Sequence, residues 1–194
     1  MDKKYKPLFI RELKRRMALD FRNFIPRPVP ADYPQRDIFG GAFLFASPLS
    51  NGMAVWLWWI TCPGVERYFN IYLGWSSGLN IMPHSGKHES RLYALSGPSR
   101  EIPAGAIALQ QIQGESAVGG FTIPSPWDQV YAVKAMAPRR EHVAAMENAA
   151  LEDICTSDEQ RHAAVAATLE SVFATLHEVV PTFTRSLETV AGEA

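Results

Sequence analysis

With 194 residues, 47% of them apolar and 20% charged, the chain can bury a core of its own and lies outside the composition of disordered proteins. A formal charge of −1 excludes a global electrostatic pull toward nucleic acid. The charge is unevenly spread, however: residues 1–36 carry a balance of +6 and residues 139–194 a balance of −6. The plain expectation is that the two ends pack near each other or form solvated faces, and the sharper one is a polyanion-binding arm.

The first predicted element is a helix over 7–22. Phe9, Ile10, Leu13 and Met17 recur at three- and four-residue steps, and Pro7 is tolerated in a first turn. The prolines of "IPRPVPADYP" then bar helix continuation. That stretch reads as a rigid helix-to-strand connection rather than a polyproline ligand.

No charged residue occurs between Ile38 and Val65. A run of that length raises the possibility of a membrane span. "SPLSNG", residues 47–52, breaks it in the middle, and Asn-Gly is a hairpin signal. Each half is too short to span as a helix, and both are rich in aromatic and branched residues. The expectation is an antiparallel hairpin and no membrane span. In "MAVWLWWITC" the set Ala54, Trp56, Trp58, Ile60 and the set Met53, Val55, Leu57, Trp59 point to opposite faces. Both sets are apolar, which predicts a central strand covered on both sides, with a loop, a second layer or another subunit as possible covers. A homodimer through that face is one such arrangement.

"VERYFNIYLGW" alternates as a half-buried third strand, with Phe69, Ile71 and Leu73 on the covered face and Tyr68, Asn70 and Tyr72 on the other. "SRLYALS" and "GAIALQQIQ" are candidate fourth and fifth strands, and the latter also suits a helix. Helices are expected over 126–137 and 139–155. A capping-box spacing at Ser157 and Gln160, and equally at Thr156 and Glu159, then opens a long helix with the stripe Val165, Leu169, Val172, Phe173, Leu176 and Val180. Pro181 either kinks it or starts another helix. The whole predicts an α+β fold over 1–194 as one domain: an N-terminal helix within 1–24, an antiparallel meander of four to five strands within 37–113, and C-terminal helices within 126–190.

Several patterns could carry chemistry. "GWSSG" matches G-x-S-x-G with Ser76 as nucleophile. His142, His162 or His177 could serve as its base and Asp128 or Asp153 as orienter. The following "LNIMPHSGKHES" shows no helical period, and the strands come in immediate succession. A strand-end turn is therefore the preferred reading, with a serine esterase as the alternative. His84, His88 and Glu89 lie in a Pro- and Gly-containing loop where their spacing has no metal-binding geometry. "GESAVGG", residues 114–120, has the glycines of a phosphate loop but no following lysine. Cys62 and Cys155 make no paired motif. No metal and no cofactor is expected, and the absence of a secretory pattern at the N-terminus points to a reducing cytoplasm.

The layout, aromatic-rich strands between helices without a catalytic set, resembles that of bacterial immunity and antitoxin-type proteins. The resemblance implies a non-catalytic protein that docks on a toxin or effector. Residues expected at such a contact are Tyr68, Tyr72, Trp75, His84, Lys87, His88 and Arg91. A small-ligand binder that stacks its guest on Trp56, Trp58 and Tyr72 is a further alternative.

Overall fold

The computed structural model describes residues 3–29, 42–61, 67–83, 89–95, 109–111, 121–123 and 156–190. In chain order the elements are α1 (Tyr5–Asp20), β1 (Ile25–Arg27), β2 (Ala42–Pro48), β3 (Ala54–Thr61), β4 (Tyr68–Ser76), β5 (Ser90–Leu95), β6 (Leu109–Gln111), β7 (Phe121–Thr122) and α2 (Asp158–Val190). The strands form one antiparallel sheet in the order β1-β2-β3-β4-β5-β6, with β7 on β4. This is the expected α+β fold with a meander sheet. The helices expected over 126–137 and 139–155 lie outside the described residues.

The hairpin β2–β3 turns where the sequence places it. Leu49 N–H donates to Met53 O at 2.8 Å, and Gly52 N–H to Leu49 O at 3.1 Å. Asn51 Oδ1 accepts from Met53 N–H at 3.0 Å. Gly52 adopts φ 85°, a conformation that a side chain would strain. Asn51 Nδ2 also donates to Leu187 O at 3.1 Å, which ties the hairpin to α2.

Every residue of β3 is buried. On one face Val55, Leu57 and Trp59 join Phe45, Phe69, Ile71 and Leu73, and this face meets Phe9, Leu13 and Met17 of α1 and the stripe of α2. Trp59 is its centre: its ring lies 6.3 Å from Phe9, 6.1 Å from Phe69 and 5.6 Å from Phe173. On the other face Trp58 and Ile60 pack with Leu44 and Tyr72, and Trp56 with Ala46 and Ala54. Val29, Leu79 and Met82 close over them. Trp56 and Trp58 are each 2% exposed within one chain. No second copy is needed to keep the indoles from water.

β4 departs from its expected half-burial. Asn70 and Tyr72, assigned by alternation to a wet face, are buried, because β3's neighbour in a two-sided sheet is covered on both sides too. The proline-rich stretch departs as well. Ile25–Arg27 is not a bare connection but an edge strand, with Pro26 opposite Phe45. Proline fits such an edge, where its missing N–H faces away from the ladder.

Of the two capping boxes the spacing allows, α2 opens on that of Ser157: its N–H donates to Gln160 Oε1 at 2.8 Å, and Gln160 N–H donates to Ser157 Oγ at 3.2 Å. The helix runs on through Pro181 to Val190. Pro181 gives no N–H to the carbonyl four residues back, and Leu187, buried beside the hairpin turn, continues the packing beyond it. By length and composition alone, 158–189 would suffice to cross a bilayer. In the fold its apolar stripe lies in the core.

The oppositely charged ends of the chain do meet. Arg16 pairs with Glu170 on α2 and lies 3.8 Å from Asp20, whose carboxylate is 4.0 Å from His177 Nε2. Glu12 is buried on α1, where it accepts from Arg15 Nε at 2.8 Å and from Arg16 Nε at 3.4 Å. The Arg15 hydrogen bond outweighs desolvation and holds the Glu12 carboxyl below its ordinary value. A depressed folded-state pKa stabilises the fold above the unfolded-state pKa, and that contribution is lost as pH falls through the folded value. In Glu12→Gln the stability deficit relative to the parent is therefore expected to be full at neutral pH and to shrink below about pH 4.3. Urea titrations at stepped pH measure it.

Candidate functional site

The residues proposed for chemistry are placed as follows. Ser76 ends β4 and is fully buried. Its Oγ accepts from Trp56 Nε1 at 2.7 Å and donates to Gly78 O at 2.7 Å. One hydroxyl thus satisfies a buried indole and fixes the turn after the strand. The chain then returns as β5, antiparallel to β4, whereas a nucleophile elbow leads from strand into helix. Ser76→Ala leaves the Trp56 N–H without its acceptor, and a loss of about 1–3 kcal/mol is expected in denaturant melts. His162 and His177 lie exposed on α2, with the His177 ring stacked on Phe21 at 5.1 Å. His142, Asp128 and Asp153 lie outside the described residues.

The expected contact residues divide in the same way. Tyr72 is buried against Trp58, ring centroids 6.2 Å apart. Trp75 is half-buried and packs on the main core. Tyr68 and Arg91 occupy positions on β4 and β5 opposite Thr122 and Trp75. His84, Lys87 and His88 lie outside the described residues, as do "GESAVGG", Cys62 and Cys155. The stacking wall of Trp56, Trp58 and Tyr72 is interior, with none of the three more than 6% exposed.

A concave site exists elsewhere, at the opposite side of the sheet. Between the C-terminal half of α1, the turn after it, β1 and the start of β2 lies a groove of about 730 Å³. Local structure explains it. Phe21 N–H closes α1 on Met17 O at 3.0 Å, and Phe24 N–H turns back to Phe21 O at 2.9 Å. Asn23 Nδ2 donates to Ser47 Oγ at 3.0 Å and fastens the turn to β2. β1 covers β2 only from Leu44 to Ala46, so Ala42 and Phe43 are left as groove floor.

The walls are mostly apolar. Phe21 is wedged between His177, Phe24 at 5.7 Å and Phe173 at 5.8 Å. Ile25, 51% exposed, stands at the rim. Among the described residues, the charged lining consists of Lys14, Arg22 and Arg27, and none of them is acidic. Arg27 Nη2 donates to Leu79 O at 3.3 Å, which spends part of its capacity. Lys14 and Arg22 are exposed. The internal pairing of Glu12 and Asp20 leaves the outward face of α1 cationic, with Lys3, Arg11, Lys14 and Arg22 all exposed. Sequence reading placed the positive charge at this end but not the groove, which three separate elements build.

No protein-family model matches this chain, and comparison with curated proteins and with solved structures finds no match.

Proposed function

We propose that the protein is a cytoplasmic binding protein that acts without catalysis, and that its guest sits in the groove between α1, β1 and β2. The observation that carries this reading is the groove itself: concave, mostly apolar and, among the described residues, edged by cations alone. Ligand sites have this composition, mostly apolar with a few placed polar groups. The guest is thus an apolar group that carries negative charge. In its narrower form the guest belongs to another protein, a toxin or effector for which this chain would be an immunity or antitoxin-type inhibitor. Support for that form is the cationic face of α1, which continues past the groove and would speed encounter with an acidic surface.

The esterase alternative loses its support from Ser76, whose hydroxyl is enclosed and engaged. A fluorophosphonate probe is expected to leave Ser76 unlabelled in the folded protein.

Photo-crosslinking from position 25 tests the binding reading. A benzophenone amino acid at Ile25, on the rim, is expected to give a discrete adduct in the native host. That adduct should disappear when Ala18→Trp fills the groove. An adduct indifferent to Ala18→Trp, or none at all, contradicts the reading.

A further inference from the structure

We infer that the groove takes a free anionic amphiphile: one unbranched apolar chain laid along Phe21, Phe24 and Phe43, with its carboxylate held between Lys14 and Arg22. The inference rests on the reading of the groove as the binding site and adds the chemical class of the guest.

Three observations lead to it. The first is volume: about 730 Å³ falls within the range of small-molecule sites, roughly 300–1,000 Å³. The second is the distribution of polarity. Among the described residues, the polar lining side chains are few and all cationic, and the exposed pair, Lys14 and Arg22, lies on one side, on α1 and the residue two beyond it. A guest with one anionic head and a long apolar body matches that asymmetry.

The third observation distinguishes an alkyl chain from an extended peptide. A peptide seated against β1 would bring backbone N–H and C=O groups into an apolar groove, and these must be satisfied. The exposed edge offers poor terms for that. Pro26 and Pro28, alternate residues of the segment beside the groove, have no N–H to donate, and proline in an edge strand leaves its outer side without donors. An alkyl chain has no such groups to satisfy. It needs only the apolar walls and one salt-bridged head.

The test uses the full chain with three defined probes: the fluorescent apolar amine N-phenyl-1-naphthylamine as reporter, with dodecanoate and 1-dodecanol as competitors. Dodecanoate is expected to displace the reporter at about tenfold lower concentration than dodecanol, a preference that weakens with added salt. Lys14→Gln combined with Arg22→Gln should remove that preference, since both side chains are exposed and their loss leaves the core intact. Ala18→Trp should exclude reporter and competitors alike.

If the reporter enters and leaves with Ala18→Trp but dodecanoate shows no advantage, the amphiphile inference falls and the groove remains a binding site. If dodecanoate's advantage survives the double substitution, the assignment of its head group falls. If phosphatidylglycerol vesicles recruit the protein through Lys14 and Arg22 while dodecanoate fails to compete, those cations serve a membrane surface and the inference is again overturned. If the reporter is not taken up, or ignores Ala18→Trp, the groove reading itself fails.

Discussion

Trp59→Ala is expected to destabilise the protein by about 3–5 kcal/mol, the range for emptying a fully buried aromatic site. Trp59 is wholly enclosed, and its ring touches the rings of Phe9 on α1, Phe69 on β4 and Phe173 on α2. Removing it therefore opens a void where three elements converge, and the void cannot close without moving a helix. Since folded domains are stable by only about 5–15 kcal/mol, such a loss brings the variant near the unfolding threshold at ordinary temperature. Trp59→Phe should be much milder. Nε1 of Trp59 is buried and has no hydrogen-bond partner among the described residues, so the smaller ring gives up packing but no hydrogen bond. Urea denaturation of the two variants separates the cases, and equal losses would contradict this account of the site.

Leu169→Asp should be at least as damaging. Leu169 is fully buried at the middle of the α2 stripe, between Val165 and Val172–Phe173. None of the described residues of that cluster is a cation, and an unpaired buried charge costs several kcal/mol unless it takes up a proton. The neighbouring position is a matched control: Ser171 is exposed on the same helix, and Ser171→Asp is expected to stay within about 0.5 kcal/mol of the parent. Circular dichroism melts at pH 7 and again at pH 4 measure both. The Leu169→Asp deficit should shrink at the lower pH as the carboxylate neutralises, and a pH-independent deficit would point to shape rather than charge.

These effects show which parts of the fold were legible beforehand. The apolar residues at both parities of 53–62 announced a strand covered on both sides, because the turn formers of 47–52 leave each half too short to span a membrane and its residues are aromatic and branched. The Asn51-Gly52 turn and the Ser157/Gln160 cap were equally readable, since each depends on residues within four positions of one another. β1 was not. Four prolines in residues 25–34 read as connection, and only the partner strand reveals an edge that requires no donor from Pro26. Nor was the burial of Tyr72 and Asn70, which depends on what covers the far side of the sheet and not on their own alternation.

The candidate site was legible only as charge. The excess of basic residues at the N-terminal end is visible in composition. That Glu12 and Asp20 are consumed by Arg15 and Arg16 depends on helical turns and on α2. The groove depends on Phe21, Ile25 and Phe43, which three elements bring together. Ser76 shows the opposite limit. Its motif was plain, but its role as acceptor for an indole twenty residues earlier has no local signature.

The chain itself seals both faces of β3, which takes its tryptophans out of reach and leaves the groove at the sheet's edge as the proposed binding site. Residue-resolved hydrogen exchange on dilute protein tests this most directly. The β3 amides and the indole N–H groups of Trp56 and Trp58 are expected to exchange only through global unfolding, at rates independent of protein concentration. Fast indole exchange in the dilute sample, slowed as concentration rises, would mean that a second molecule supplies the cover and would contradict it.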